Sequence, residues 1–596
     1  MKIASYIKLL LVLVFINSML SNAQEYPFVD WKYQTFGTVN DLGHEPTALA
    51  MDDDHVYVVG GFVQEVDFDP DPDVQYNLYS EIAIGFVAKY SIEGSLEWAF
   101  ALDVAPRAID VDELGNIYIS GAFRDSIDVD PGEDTSLLYA VWEDFFIAKY
   151  SAEGEYEWAI QGSSLGFTIV HPQDLAVSTI SNRLTLIARN VGAIDIDPHA
   201  INEFIIPSTG QGDGYAFFAT YSLEGEFLWA HYFAARNKTT TLGEYRIDYD
   251  ELGSLYGTGP FIDTLQLDPL GMADPIISWD SGPWDEDAFI VKYNPQGEFD
   301  WVTTIKSDGR VYIGGLKTSN TTLSITGQVE NKARFYSAQY IDSIDRHELS
   351  VTPTAFLANY DSQNGGINFA FILGVTDESA AIGIDVSTDK DENIYFNGYI
   401  GVIGPVDFDP SANEFLLTND LYQQADPFVA KYSSSGDLIW AFSMPEAQRA
   451  AILGLAVSAA GEVVVTGTFR GPLDISGYGE AQALVPASEF VSTLNPLMYI
   501  VKYNQLDTTV YSEDESIILF PNPSSESHTL QLTGYENQKV VIDMYDIQGR
   551  LIKRVFDGKV SANEELSVDL SQLGAGVYLY KLSTEVAQRV IKFIRK

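Results

Sequence analysis

Phe86-Val-Ala-Lys-Tyr90, followed by the pair Glu93-Gly94 and then Trp98, decides the fold of this chain because it recurs. It returns as Phe146–Tyr150 with Trp158, Phe217–Tyr221 with Trp229, Phe289–Tyr293 with Trp301, and Phe428–Tyr432 with Trp440. Phe356–Tyr360 is a weaker copy, with one extra residue in its turn and Phe369 in place of the tryptophan. A seventh copy, Tyr499–Tyr503, has no tryptophan after it. The tyrosines are separated by 60, 71, 72, 67, 72 and 71 residues, a repeat of ~70. Within a copy, Phe86, Ala88 and Tyr90 alternate onto one face of a strand and Val87 and Lys89 onto the other. The Glu-Gly or Ser-Gly pair supplies a turn with positive φ, and the aromatic strand returns.

Upstream of each phrase lies a second hairpin, clearest in Ile109-Asp-Val-Asp-Glu-Leu-Gly-Asn-Ile-Tyr-Ile-Ser-Gly121, with relatives at Ala50–Gly60, Ile247–Gly257, Ile384–Gly398 and Leu455–Gly467. Two hairpins make four antiparallel strands per unit, and strongly periodic helical segments are absent. Such a unit cannot bury both its faces alone, so sevenfold repetition predicts an all-β fold, a seven-bladed β-propeller over residues 24–505. The unit exceeds the ~40–50 residues of common propeller repeats, which predicts a long insertion between its hairpins. The missing last tryptophan predicts closure by Phe28-Val-Asp-Trp31-Lys-Tyr33, which supplies the orphaned aromatic strand and covers an open edge. At these residues, roughly Glu25 to Gln505, the chain resembles the bacterial seven-bladed propeller repeat family. That resemblance implies architecture and no particular activity, since propellers host binding and catalysis alike.

The chain has 596 residues, 85 acidic against 34 basic side chains, a net charge of −51 and no cysteine. Disulfides, thiolate metal sites and a cysteine nucleophile are excluded. So large a negative charge argues against nucleic acid as a partner, because tracking phosphates needs a basic footprint. Lys2 and Lys8, the apolar run Leu9–Ile16 and the small residues Ser21-Asn22-Ala23 form a secretory signal pattern over residues 1–23. The apolar run is well short of the ~20 residues of a spanning helix, and no later stretch reaches that length, so no transmembrane segment is expected.

After Tyr503 comes a polar linker, residues 506–516, and then a change of charge. Residues 513–596 hold ten basic and twelve acidic side chains, whereas 24–512 hold 22 against 73. A step of that size marks a domain boundary. Val540–Arg550, Leu566–Leu570, Val577–Leu582 and Ile591–Lys596 read as short strands, predicting a small immunoglobulin-like β-sandwich over 517–596. Phe520-Pro-Asn-Pro523, Tyr545-Asp-Ile-Gln-Gly-Arg550, Gly576-Val-Tyr578 and the basic terminus resemble the type A C-terminal sorting domain of the type IX secretion system. The resemblance implies export across the inner and outer membranes, contact with the type IX machinery, removal of the tail, and a secreted or cell-surface location.

Chemistry is harder to place. Gly162-Ser-Ser164-Leu-Gly166 matches the nucleophile-elbow spacing but lacks the strand-to-helix turn and parallel sheet that elbow requires. The seven histidines, at 44, 55, 171, 199, 231, 347 and 528, show no metalloprotease spacing. One ordered feature is a set of carboxylate pairs: Asp67 and Asp69, Asp128 and Asp130, Asp195 and Asp197, Asp407 and Asp409, each pair followed by proline. Residues two apart on a strand project the same way, and hard oxygen ligands suit Ca2+, so these eight are the candidate metal residues. The order of an EF-hand loop is absent, and we prefer the reading as solvated Asp-x-Asp-Pro turns. The other ordered feature is Lys89, Lys149, Lys292, Lys431 and Lys502, within otherwise apolar strands. We read them as partners of carboxylates in their own or the next blade rather than as an anion-binding ring, because Thr220 and Asn359 interrupt the series.

Without an outstanding catalytic cluster, the sequence favours a secreted or surface propeller that binds a ligand, polymer or partner protein. The alternatives are a secreted carbohydrate-active hydrolase or lyase that uses carboxylates on the propeller face, and a structural surface or adhesion component. The net charge biases any partner towards cations or basic surfaces.

Overall fold

The computed structural model describes residues 27–595, except for 36–43, 200, 209–213, 236–244, 279–285, 320, 339–342, 347–352, 375–379, 402–404, 420–424, 446–449, 478–482, 485–495, 506–516, 521–526, 533–534, 536–537, 547–550, 562–563, 572, 574–575 and 585–587. The signal pattern at 1–23 and the linker at 506–516 therefore lie outside the described residues, as do Pro521–Pro523 and Ile547–Arg550 of the tail motifs. The chain divides into a larger compact unit, comprising Asp30–Ile475 and Ala483–Lys502, and a smaller one that includes Tyr503–Lys596. Every regular element among the described residues is a strand.

In the larger unit each repeat folds as a four-strand antiparallel meander. The first consists of Glu45–Met51, His55–Asp67, Asn77–Ser91 and Leu96–Leu102, hydrogen-bonded in that order. The recurring phrase is the third strand, and the tryptophan strand is the fourth. Among the described residues seven sheets contain such a meander. Their first strands are Glu45–Met51, Ala108–Val111, Ile169–Ser178, Arg246–Tyr249, Val311–Thr318, Ala381–Thr388 and Ala450–Val457. Each of these neighbours the next, and Ala450–Val457 neighbours Glu45–Met51, so the first strands form a closed ring. The sheets stack face to face. One core cluster joins Tyr57, Val59 and Val87 of the first sheet to Ile117, Ile119 and Phe146 of the second. Burial on both faces explains why the phrase reads as nearly continuous apolar sequence rather than strict alternation.

Ring closure uses the segment anticipated from sequence. Pro27–Gln34 is the outer strand of the seventh sheet, beside Leu497–Gln505. The Thr35 N–H donates to the Met498 carbonyl at 3.1 Å, and the Met498 N–H donates to Thr35 Oγ1 at 3.0 Å. Val464, Met498 and Ile500 of this sheet share a core with Tyr33 and with Val56, Val58 and Phe86 of the first.

The repeated tryptophan and glycine clasp successive sheets. Trp98 of the first sheet lies over Gly154 in the turn of the second, Trp158 over Gly225, Trp229 over Gly297, and Trp301 over Gly365. Phe369 lies over Gly436, so the weak copy keeps the contact with a smaller ring. Trp31, from the N-terminal strand, lies over Gly94 of the first sheet and so clasps the seventh sheet to the first. The indoles of Trp31, Trp98 and Trp158 donate to the carbonyls of Ile92, Ala152 and Leu223 in those same turns, at 2.8, 3.2 and 3.2 Å. Burial of the ring and satisfaction of its N–H thus occur at one place.

The fifth sheet differs from its neighbours. Where other repeats place a short two-stranded ribbon between their hairpins, its insertion forms the strands Ala333–Tyr336 and Ser343–Arg346. These extend the fourth sheet to six strands by pairing with Phe299–Ser307.

The smaller unit contains two antiparallel sheets. Ile517–Phe520, Ser527–Leu532 and Glu564–Asp569 form one, and Leu551–Lys559, Lys539–Asp546, Gly576–Ser583 and Gln588–Arg595 form the other. Leu530 and Leu532 of the first share a core with Ile542, Met544, Tyr580 and Leu582 of the second.

Candidate functional site

The Asp-x-Asp-Pro pairs sit where the second strand runs into the insertion, and their carboxylates cap backbone. Asp67 Oδ1 accepts from the N–H groups of Asp69 and Tyr76, at 3.1 and 2.8 Å. Asp128 accepts from Asp130 and Ser136 at 3.1 and 2.8 Å, Asp195 from Asp197 and Phe204 at 3.1 and 2.9 Å, and Asp407 from Asp409 and Phe415 at 3.0 and 2.8 Å. Asp69, Asp130, Asp197 and Asp409 each accept from the N–H two residues on. The residue inside each pair, Phe68, Val129, Ile196 or Phe408, is buried. Its carbonyl accepts the hydroxyl of the phrase tyrosine, at 3.2 Å from Tyr90 and 2.7 Å from Tyr150, Tyr221 and Tyr432. The motif thus latches each insertion onto its own sheet. The fifth sheet lacks the motif, and its buried Tyr360 hydroxyl has no hydrogen-bond partner among the described residues. No group of three or more His, Asp or Glu side chains among the described residues is arranged to hold a metal ion.

The phrase lysines sit on third strands, away from the ring's axis. Lys89 pairs with Glu97 at 3.0 Å, Lys149 with Glu157 at 2.9 Å, Lys292 with Asp300 at 3.4 Å and Lys431 with Asp389 at 3.7 Å. Lys502 pairs with Glu462 at 2.8 Å and with Asp30 of the closing strand at 3.2 Å. All these partners lie within the lysine's own sheet. Tyr57, Tyr118, Tyr256 and Tyr395 place their rings 5.0–5.6 Å from the ammonium groups of the first four. A charge taken out of water needs such compensation, so these are structural lysines. Ser164 of the nucleophile-like motif is buried in a two-residue edge strand, its N–H held by Asp144 at 2.8 Å, with no helix following.

The ring encloses a cavity of about 690 Å³ to which all seven first strands contribute. Five of them carry a β-bulge, at Pro46/Ala48, Pro172/Asp174, Ile313/Gly315, Gly383/Asp385 and Ile452/Gly454, and all but the third lie at the cavity wall. A bulge re-aims side chains, which here brings Thr47, Gln173, Ile384 and Leu453 to the cavity.

A seam of four aspartates runs around this wall. Asp110 accepts from the N–H of Val111 on its own strand and from Val177 on the next sheet, at 2.9 and 2.8 Å. Asp174 does the same with Leu175 and Ile247, at 2.9 and 3.0 Å, and Asp385 with Val386 and Leu455, at 2.9 and 3.1 Å. Asp248 accepts from the Thr318 N–H at 2.8 Å and pairs with Lys317 at 3.1 Å. Arg246 spans the cavity wall from the Gly314 carbonyl, 2.7 Å from its Nε, to the Gln173 carbonyl, 3.4 Å from Nη1. Burial pushes Asp110 up to about 7, against the pull of Lys317, with Asp248 adding to the rise. Burial likewise pushes Asp174 and Asp385 up to about 6, opposed in both by Arg246. Asp248 holds the Lys317 ammonium above its ordinary range.

At the mouth of the cavity, where the first strands begin, stand Glu45, Arg107 and His171, all exposed. Partial burial of the ring lowers the His171 imidazole; Glu143 opposes that, and Arg189 and Arg107 add to it. Beside it the Glu143 carboxylate accepts the Val170 N–H at 3.0 Å, and the exposed rings of Trp142 and Phe167 meet edge to face at 5.4 Å. Sequence reading missed this assembly. Its one trace was the repeated Ile-Asp at 109–110, 247–248 and 384–385, which fixes three of the four seam aspartates to first strands; Asp174 follows Gln173 instead.

Residues 518–596 match the secretion system C-terminal sorting domain. The chain is a cargo of the type IX secretion system. The tail implies interaction with that machinery and directs the chain to the cell surface or the extracellular space. No helix among the described residues is long and apolar enough to cross a membrane. An uncharacterized WD repeat-containing protein of Acanthamoeba polyphaga mimivirus is 23% identical over 426 residues, covering 61% of this chain. The chain spans only 29% of that relative's length. Among solved structures, a quinohemoprotein alcohol dehydrogenase of Pseudomonas putida aligns with 92% of this chain and 77% of its own, at 11% identity and a TM-score of 0.32. A europium-containing methanol dehydrogenase aligns with 85% and 84%, at 12% identity and a TM-score of 0.31. Similarity this low carries no argument about this chain's chemistry.

Proposed function

We propose that the exported chain is a seven-bladed β-propeller over residues 24–505, joined through a linker at 506–516 to an immunoglobulin-like sorting domain at 517–596. Outside the cell it works as a non-enzymatic binding module whose ligand seats at the mouth of the ring's cavity. The observation that carries this reading is where the scarce positive charge lies. Only 22 basic residues stand between 24 and 512, and Arg107, Arg189, Arg246 and Lys317 all line this one cavity. A concave site of several hundred Å³ with a few convergent polar groups is the usual form of a ligand site.

A second reading, a hydrolase or lyase, draws on one observation: Asp110, Asp174 and Asp385 have carboxyl groups raised towards neutrality in the same cavity. Against it, both oxygens of each already accept backbone N–H groups, one on its own strand and one on the next sheet. Offering mature protein a panel of soluble glycans, polysaccharides and small organic acids, and measuring both affinity and product, separates the two readings. Binding without product supports the module. Product formation that Asp110→Asn abolishes would replace it with the enzyme.

A further inference from the structure

The cations of the cavity wall are gathered on one side, although Ile109, Leu175 and Ile247 line that side too. In the cyclic order of the sheets, the second, third and fourth contribute Arg107, His171, Arg189 and Arg246. The sixth, seventh and first contribute Ile384, Leu453, Leu49 and Met51. In a ring of seven, the sixth sheet stands across from the junction of the second and third, so the apolar residues face the cationic ones over the cavity. Leu453 is 39% exposed, unusual for a leucine on an inner strand, and that exposure is onto the cavity.

Resting on the reading of this cavity as a binding seat, we propose that its ligand is a small amphipathic organic anion. Its acidic head would lie against Arg107 and His171, and its apolar body along Ile384, Leu453 and Leu49.

Three features favour this class over a neutral or cationic ligand. Two guanidinium groups, Arg107 and Arg189, stand close enough to His171 to oppose its protonation against the pull of Glu143, so an anionic head meets cationic partners at the mouth. The acidic side chains of the wall do not offer a competing cation seat, because Asp110, Asp174 and Asp385 are occupied by backbone N–H groups and Asp248 by Lys317 and Thr318. Glu45, exposed on the first sheet, repels an anionic head from the apolar half and so fixes its orientation. The volume, about 690 Å³, suits a molecule of drug size rather than a polymer threaded through it. An apolar wall also distinguishes this seat from one built for a sugar acid, which has no aliphatic body to bury.

Calorimetry with sodium octanoate on mature protein tests the assignment, with octyltrimethylammonium and glucuronate as comparisons. One octanoate per chain is expected, with octyltrimethylammonium failing to bind or compete and glucuronate at least tenfold weaker. Arg107→Glu, at an exposed side chain, should weaken octanoate at least tenfold with its urea midpoint unchanged. Leu453→Asp should weaken octanoate several-fold while glucuronate is unaffected. Equal binding of octanoate and octyltrimethylammonium, or octanoate binding indifferent to Arg107→Glu, overturns the proposal. Glucuronate or a glycan binding in an Arg107-dependent way while octanoate does not would overturn the ligand class and leave the cavity as the seat. Arg107-independent binding of every ligand would overturn both.

Discussion

Replacing Gly94 by alanine tests how the ring is closed, because two separable costs meet there. Gly94 has φ +91°, in the left-handed region, where an L side chain costs roughly 1–2 kcal/mol. A Cβ at this position would also lie 2.6 and 2.7 Å from Cδ2 and Cγ of Trp31. Carbon atoms pack best at about 3.5–4.0 Å, so the indole must retreat by about 1 Å. Trp31 cannot retreat freely, since its N–H donates to Ile92 at 2.8 Å and its strand is anchored by Thr35 and Met498. Overpacking of this kind costs about 1–3 kcal/mol, for a total of ~2–5 kcal/mol. Unfolding entropy of ~2 cal/mol/K per residue means a ring of this size shifts by only about 1 °C per kcal/mol, so urea titration is the sharper assay. Gly271 is the internal control. Its φ is +63° and nothing lies within 4 Å of an added Cβ, so Gly271→Ala should cost only the backbone part. In a Trp31→Ala background, Gly94→Ala should fall to that same cost, leaving a coupling of about 1–3 kcal/mol. Additivity of the two changes would refute the clasp between the N-terminal strand and the first sheet.

Other outcomes follow from the same geometry. Asp110, with a folded pKa of about 7, and Asp174 and Asp385, at about 6, hold protons that the unfolded chain, near 3.9, has released. Their contribution is therefore full below pH ~4 and is lost as pH rises through 6 and 7, so stability should decline over that window. Urea midpoints from pH 4 to 8 check this: Asp110→Asn should flatten the decline, and an unchanged slope would contradict the assignment. Asp128→Ala removes two charge-assisted caps and should cost about 1–3 kcal/mol by urea titration. If the Asp-x-Asp-Pro turns work as caps alone, melts in millimolar calcium and in chelator should coincide; a calcium-dependent rise lost in Asp67→Asn/Asp69→Asn would instead make them ion sites. Truncation at Ser516 should leave folded protein in the periplasm, and equal extracellular amounts of truncated and full-length protein would exclude a sorting role for the tail.

The repeat made the sheets legible, because a phrase recurring every ~70 residues carries strand period, turn and aromatic anchor together. Trp31 was assignable to the last sheet because the last copy lacks its aromatic strand and the N-terminal segment Phe28–Tyr33 supplies one that belongs to no other copy. The pairing of Lys89 and its relatives was legible from their rarity in apolar strands. Two first hairpins, Ile169–Ser178 with Arg183–Val191 and Val311–Thr318 with Thr322–Val329, escaped notice because their turns hold neither the aspartate nor the glycine found in the turns of the other five. The seam aspartates were hidden for a different reason. Asp110 is defined by an N–H on Val177, 67 residues away, and one sequence contains no register between sheets. The gathering of the cations on one side of the cavity wall depends on cyclic position, which exists only after the ring closes.

The central claim is that the ligand seats at the cavity mouth, and locating a bound ligand there tests it most directly. Whatever compound the panel identifies should lose at least tenfold in affinity to Arg107→Glu, while Trp142→Ala/Phe167→Ala, an exposed pair near the mouth but not part of the cavity lining, changes it less. Hydrogen exchange should show ligand-dependent protection confined to the starts of the first strands, around Arg107–Ile109, His171–Leu175 and Leu453–Leu455. Undiminished binding by Arg107→Glu, with protection confined to the outer strands, would contradict the account.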